Sequence, residues 1–250
     1  MRDAARLLAE AREGWALTGA GVSTPSGIPD FRGPGGLWDQ YDADLVSSIE
    51  GLWRNPELFY SFWLERFGVM RAAEPNSVHR WLAELEAEGR LAGVITQNID
   101  GLHQAAGSRR VLEVHGHVRS GSCLECGRSY TFDRIAREAS QEGVASCTCG
   151  GLVKPDVVLF GERLPSAMEE AIEAVEGADL LLVLGTSLTV WPVAGLVPRA
   201  TAGGVPVVVV NNQPTSYDDV AQAVLRGDLQ QACRLLSQTL GGRQSSDELD

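Results

Sequence analysis

The chain has 250 residues, 44% of them hydrophobic and 22% charged, with a formal net charge of −12. That length permits one large domain, or one with a small insert, and the balance is ordinary for a globular chain. The negative charge argues against nucleic acid as a direct ligand, because binding a phosphate backbone needs a basic surface. It suits either cationic protein segments or plain solubility. No apolar run approaches the ~20 residues of a membrane helix. Met1-Arg2-Asp3 opens an amphipathic pattern (Ala5, Leu8, Ala9, Arg12) unlike a secretory signal, so a cytoplasmic protein is expected.

Trp15–Thr18 reads as the first strand, and the loop from Thr18 to Arg32 follows it. Gly19 and Gly21 would let backbone approach a pyrophosphate at a helix N-terminus. Position 24 is Thr, so the third glycine of the usual dinucleotide fingerprint is missing and an ordinary dehydrogenase is disfavoured. The loop ends in Asp30-Phe31-Arg32, an aromatic face and a cation able to cover a bound cofactor. Residues 34–75 carry Trp38, Tyr41, Trp53, Phe59, Tyr60, Phe62, Trp63 and Phe67, and read as a helical insertion over that loop. A helix over Ser77–Glu88 leads to a strand over Gly93–Thr96.

The run Thr96-Gln97-Asn98-Ile99-Asp100-Gly101-Leu102-His103-Gln104 then places two amides, an acid and a histidine where a loop leaves a buried strand. Open α/β sheets bind ligands at such strand ends, although a locally capped turn explains the same polar residues. Val111–Val114 is the next strand, and His115-Gly116 sits at its end, placed for a general base.

Residues 118–153 hold Cys123-x-x-Cys126, twenty intervening residues and Cys147-x-Cys149. Two tight thiol pairs across a short loop point to a closed, structural four-thiolate zinc site. Two disulfides would need an oxidising compartment, for which the sequence carries no signal. The segment has few large apolar residues, so the metal is expected to supply what burial cannot. Further strands are expected at Val157–Phe160, Leu180–Gly185 and Val205–Val210, and helices at Pro165–Glu176, Val193–Ala200 and Tyr217–Leu225. Cys233 falls in a C-terminal helical pattern and reads as a small buried residue. The polar stretch 241–250 is expected to be disordered.

The alternation implies an α/β fold, a Rossmann-like doubly wound parallel sheet with a small zinc-binding module and a helical insertion. The expected division is 1–33, 76–117 and 154–240 for the sheet domain, 34–75 for the insertion, 118–153 for the zinc module and 241–250 for the tail.

The loop from Gly19 to Arg32, the 96–104 run, Val114-His115-Gly116, Lys154 to Glu162, Gly185-Thr186-Ser187-Leu188 and Val210-Asn211 together resemble the sirtuins, NAD-dependent protein deacylases, in the family's order over most of the chain. The compact bacterial and archaeal members are the nearest in look. The resemblance implies NAD as a consumed co-substrate. Its pyrophosphate would lie on Ala20, Gly21 and Thr24 near Thr186 and Ser187, under Asp30, Phe31 and Arg32. Its adenosine would run toward Asn211 and Asp228, and its nicotinamide toward Gln97, Asn98, Ile99 and Asp100. The acyl oxygen of an acyl-lysine would attack the ribose as nicotinamide leaves, with Asn98 orienting the ribose and His115 as general base. Nicotinamide, O-acyl-ADP-ribose and free lysine would be the products. Val157, Val158, Phe160 and Gly161 would bind the acyl-lysine peptide as an added strand, and Cys123, Cys126, Cys147 and Cys149 would hold one zinc. Mono-ADP-ribosyl transfer to protein is the alternative reading. Members that prefer succinyl- or malonyl-lysine carry a Tyr and an Arg where this chain has Trp63 and Arg66. That points to acetyl as the default acyl group, with Arg66 a solvated helix residue.

Overall fold

Leu180–Leu184 (β7) and Val207–Asn211 (β8) are buried at every position, as parallel strands covered on both faces must be. They lie at the centre of a six-stranded sheet in a computed structural model that describes residues 1–31 and 36–247, with side chains through residue 241. The other strands are Gly14–Thr18 (β1), Leu91–Thr96 (β2), Val111–Glu113 (β3) and Ala223–Arg226 (β9). The order is β3-β2-β1-β7-β8-β9, and every pairing is parallel. The order therefore reverses between β1 and β7, which opens a crevice at their carboxyl ends.

Alternating side chains feed two cores. Ala16, Leu182 and Val208 face Leu8 of α1 (Arg2–Glu10), Leu82 of α5 (Ser77–Ala87) and Leu236 of α10 (Leu229–Asp247). Leu17, Ile95, Val183 and Val209 face Ala171 and Val175 of α8 (Ala167–Glu176) and Val197 of α9 (Leu196–Ala202). Burying each large side chain contributes about 1.5–3 kcal/mol, so this layer dominates the fold's stability.

A third core lies outside the sheet. The insertion forms α2 (Ala43–Val46), α3 (Ile49–Arg54) and α4 (Pro56–Ala72), with Asn55 capping α4 ahead of Pro56. The cysteine segment forms an antiparallel sheet β5-β4-β6 from Ser129–Thr131 (β5), Gly116–Cys123 (β4) and Val153–Val157 (β6), with α7 (Phe132–Glu142) packed on it. Phe59, Tyr60, Trp63 and Phe67 share one core with Phe132, Ile135, Ala145 and Val153. Phe67 meets Phe132 edge-on at 4.5 Å, and the buried Tyr60 hydroxyl donates to the Val153 carbonyl at 2.6 Å. The module thus borrows the insertion's aromatic residues, where the sequence suggested metal alone.

Several expected elements differ. Tyr217–Leu225 is not a helix: turns precede β9, because the run Ala223-Val224-Leu225 completes the edge of β8. A short apolar run has no periodicity of its own, and here the open sheet edge decides it. Val157–Phe160 is not a strand of the large sheet. Its first residue ends β6, and the rest is a loop bridged in parallel at Phe160 to Ser48. The small sheet runs from 116 to 157, wider than the expected 118–153. Val193–Gly195 is 3₁₀ and passes into α9. The helix α10 continues to Asp247, so most of the stretch expected to be disordered is helical; residues 248–250 lie outside the described ones. Leu236 and Leu240 anchor α10, and propagation from an anchored helix needs no new nucleus.

Tyr60→Phe is expected to lower stability by about 1–3 kcal/mol, because it leaves buried carbonyls without their donor. Urea unfolding measures the loss, and limited proteolysis should show the 116–157 segment loosening first.

Candidate functional site

The loops after β1 and β2 meet in the crevice and are tied together by side chains. The Asn98 amide donates to the Gly19 carbonyl and to Ser23 Oγ, each at 3.1 Å. Ser23 in turn donates to Asp100 Oδ2 at 2.7 Å. The Asn76 backbone N–H donates to His79 Nδ1, so His79 carries its proton on Nε2, which faces Ser23 Oγ at 3.4 Å. Deeper still, Thr18 Oγ1 donates to Thr96 Oγ1 and accepts from His103 Nε2, both at 2.9 Å. The Asn98 backbone N–H closes the ring on Thr96 Oγ1. Burial holds His79 down at about 4 and His103 at about 3, so both stay neutral. Asp100 is raised by burial, against the donors Leu102 N–H and Ser23 O–H.

His115 sits in the turn between β3 and β4, its Nδ1 3.1 Å from the Gln97 carbonyl. A carbonyl only accepts, so Nδ1 bears the proton and Nε2 is the basic nitrogen. The following Gly116 has φ +76 and lies so close to Asp156 that any Cβ would overlap its carbonyl.

Two cavities meet at these residues. One, of about 320 Å³, follows the strand ends past Ala20, Gly21, Thr24, Asp30, Thr186, Ser187, Asn211 and Asp228. The other, of about 250 Å³, is mainly apolar and reaches Ile99, Asp100, Val157, Val158, Phe160 and Gly161. Phe31, Gln97, Asn98 and His115 line both. The structure thus brings together every expected cofactor and substrate residue except Arg32, which lies outside the described residues.

The glycine loop also meets a packing constraint. A Cβ on Gly19 would stand 2.7 Å from the Thr186 side chain, and one on Gly21 2.9 Å from Gly185. These glycines let the β1 loop pack on the β7 loop, and that packing shapes the cavity floor. Sequence reading missed Ser23, Glu162 and the segment Val190-Trp191-Pro192, all of which line the apolar cavity. The run after Gly185-Thr186-Ser187 leaves the central strand β7, and its position was the available signal.

The segment 157–161 is held from three sides. Val158 N–H donates to the His115 carbonyl, Phe160 exchanges backbone hydrogen bonds with Ser47 and Ile49, and Glu162 accepts from Leu159 N–H while pairing with Lys154 at 3.1 Å. Trp63 lines the same cavity, its indole N–H committed to the Val46 carbonyl. Arg66 is not the solvated residue expected: it is 8% exposed, and its guanidinium stacks on Phe62 at 4.0 Å and Tyr41 at 4.6 Å. Stacked this way, it lines a separate small cavity next to Phe31 and Met70.

The Sγ atoms of Cys123, Cys126, Cys147 and Cys149 lie within 4.8 Å of one another. The pairs Cys123–Cys149 and Cys126–Cys147 are 3.5 and 3.6 Å apart. A tetrahedral zinc with Zn–S near 2.3 Å sets its sulfurs about 3.8 Å apart, so the cluster fits zinc, whereas a disulfide needs about 2 Å. Donation from Cys149 N–H and the Tyr130 hydroxyl draws the Cys147 thiol down to about 5, which favours the thiolate a metal requires. Cys233 stands apart in the main core, its thiol pushed up to about 12 by burial.

The fold and site define an α/β core with a dinucleotide-sized trough, an apolar side channel and a tethered metal module. Residues 19–192 match the Sir2 family model, and the chain belongs to that family. It is 45% identical over 236 residues to NAD-dependent protein deacetylase 2 of Caldanaerobacter subterraneus, covering 93% of each chain. It is 44% identical over 223 residues to the NAD-dependent protein deacetylase of Thermotoga maritima, covering 88% of this chain and 90% of that one. Among solved structures, a Sir2–p53 peptide–NAD⁺ complex superposes with a TM-score of 0.90 at 41% identity, covering 96% of this chain and 98% of that one.

Cys126→Ala is expected to release metal and destabilise the 116–157 module, because a missing thiolate opens the closed site. Elemental analysis should find about one zinc per wild-type chain and far less in the variant. Full activity and protease resistance in metal-free protein would refute the role.

Proposed function

We propose that this chain removes acyl groups from protein lysines by the NAD-dependent sirtuin reaction, with His115 and Asn98 at its centre. The chain is an NAD-consuming protein-lysine deacylase. The observation that carries the assignment of residues is the meeting of the polar trough and the apolar channel at His115 and Asn98.

NAD would supply the ribose electrophile, and the trough's residues fit it. Ala20, Gly21, Thr24, Thr186 and Ser187 would receive the pyrophosphate, Asn211 and Asp228 the adenosine half, and Gln97, Asn98, Ile99 and Asp100 the nicotinamide half. Asp100 accepts from Ser23 and Leu102 and would take the carboxamide N–H. Both Asn98 amide hydrogens are committed to the protein, so its carbonyl oxygen is the group it offers to ribose. His115 Nε2 would take the proton of a ribose hydroxyl. Phe31, packed on Trp38 with ring centroids 5.0 Å apart, would keep water from the ribose, where it would merely hydrolyse NAD. Asp30 lines the same trough. The sheet domain would bind NAD, the insertion would cover it, and the peptide would lie along 157–161.

Val157, Val158, Phe160 and Gly161 would bind the peptide largely through backbone, which tolerates varied sequences. Support comes from similar proteins: one Sir2 structure holds a deacetylated p53 peptide with 3′-O-acetyl ADP ribose, another a propionylated peptide. Four closely set thiols suit a reducing compartment, and we place the protein in the cytoplasm. No described helix is long and apolar enough to cross a membrane.

His115→Ala is expected to lower turnover by ~10²–10⁴-fold while NAD binding and folding persist. The assay follows the mass of an acetyl-lysine peptide incubated with NAD. Loss of the acetyl group supports deacylation, whereas gain of an ADP-ribose mass would indicate transfer instead. Near-wild-type turnover in folded His115→Ala would remove the base from the mechanism.

Acyl choice gives a second test. The stacked Arg66 guanidinium does not line the apolar channel, so kcat/KM for an acetyl-lysine peptide should exceed that for its succinyl counterpart. Arg66→Ala should disturb stability rather than acyl preference. A succinyl preference that vanishes in Arg66→Ala would overturn this.

A further inference from the structure

The turn that carries His115 is braced by an ion pair the reaction itself does not use. Glu113 ends β3, two residues before His115, and Arg119 stands in β4, four residues after it. Arg119 grips Glu113 with both guanidinium nitrogens, Nη1 to Oε1 at 2.8 Å and Nη2 to Oε2. The Glu113 side chain is only 13% exposed, whereas that of Arg119 is 52% exposed. On its other side Arg119 Nη1 lies 3.9 Å from where a Gly101 Cβ would stand, against the residue that follows Asp100. Arg119 and Asp100 line one surface cleft behind the site. Arg119 therefore stands between Glu113, which leads into the turn carrying His115, and the loop carrying Asp100.

We infer that Arg119 and Glu113 are positioning residues of this enzyme, a charge-balanced brace that sets the ionisation and placement of Asp100. The inference rests on the reading that Asp100 receives the nicotinamide carboxamide as a carboxylate.

The charges around Asp100 define what the brace does. From the β1 loop comes the Ser23 hydroxyl, backed by neutral His79 of α5. Neutral His103 lies in α6 (Leu102–Ala106), directly after the loop. His115 occupies the neighbouring turn. Across the cleft Arg71 of α4 and Asp133 of α7 pair with each other. Glu113 and Arg119 are thus the near charges whose balance one substitution can tip. Asp100 is already raised by burial and further by the Glu113 carboxylate. With Arg119 in place, Glu113 is largely neutralised. Without Arg119, the largely buried Glu113 carboxylate is left unpaired, and its charge favours protonation of Asp100. Without Glu113, an unpaired cation remains and favours the carboxylate.

Opposite displacements follow. Activity that needs the Asp100 carboxylate falls as pH drops through its raised value. Arg119→Gln should move that acid limb of kcat/KM for NAD upward by about half a pH unit, and Glu113→Gln should move it downward. Arg119→Lys should restore the wild-type profile. A brace that served folding alone would lower activity in both variants without shifting the limb in opposite directions.

The experiment measures kcat/KM for NAD from about pH 5 to 9, at saturating acetyl-lysine peptide, for wild type, Arg119→Gln, Arg119→Lys, Glu113→Gln and Asp100→Asn. Thermal melts and zinc content establish that each protein is folded. Opposite shifts with rescue by lysine, together with loss of the limb in an Asp100→Asn protein that still turns over, support the inference; His115, two residues from Glu113, would give the same shifts but keep its limb in Asp100→Asn. Unmoved limbs, or limbs moved the same way, overturn it. Asp100→Asn separates the two levels. If it removes the limb or all turnover in folded protein while the brace variants leave the limb in place, the reading of Asp100 stands and the brace fails. If it keeps the wild-type limb, Asp100 is not the titrating group and both fail.

Discussion

The site depends on one half-buried amide. Asn98 ties the loop after β1 to the loop after β2, using both of its hydrogens on Gly19 and Ser23. These loops leave adjacent parallel strands in register, Thr18 beside Thr96, so their starting points are fixed by the sheet. What the sheet does not fix is the direction in which each loop proceeds. Hydrogen bonds in a poorly hydrated crevice are costly to leave unmade, and that cost selects one arrangement of both loops. Removing the donors would leave the Gly19 carbonyl and the Ser23 hydroxyl oxygen without the partner that joins them.

The same logic extends to the half of the molecule outside the large sheet. The insertion and the cysteine module join the sheet through loops, yet they share one aromatic core. Their common core joins them into one cover, whose Trp38, Ser47, Trp63 and Met70 line the apolar cavity. The segment 157–161 runs along the seam between this cover and the sheet, bonded to Ser47 on one side and to His115 on the other. A substrate strand placed there would contact both halves at once, so peptide binding and the relative placement of the two halves are coupled.

Much of this was legible in the sequence, for physical reasons. Valine- and leucine-rich runs at 180–184 and 207–210 can only be buried parallel strands in such a pattern, and thiol spacing declares a metal site because ligand geometry is short-range. The polar loop residues announced themselves by standing where a strand must end. What escaped notice was set by tertiary context. Ala223–Arg226 is a strand because β8 offers it an edge, not because of its own period. Ser23 is silent in sequence, since a serine gains its role only when Asn98, Asp100 and His79 converge on it. Arg66 looked like a surface charge because nothing local reveals that Tyr41 and Phe62 enclose it. The glycines at 19 and 21 carry a second constraint that the sequence does not show: they also leave room for the loop after β7.

Histidine shows how environment divides labour here. The chain has four histidines, and three of them lie within the network around the crevice. His79 and His103 are almost wholly buried, and desolvation holds them at about 4 and about 3. Neither changes charge near neutral pH, so the donors they present to Ser23 and Thr18 stay constant. His115 is different in kind. It stands on a turn where both cavities open, its Nδ1 fixed by a backbone carbonyl and its other nitrogen directed to the chemistry. The fold buries two imidazoles among the groups that hold the loops and leaves a third at the meeting point of the two cavities.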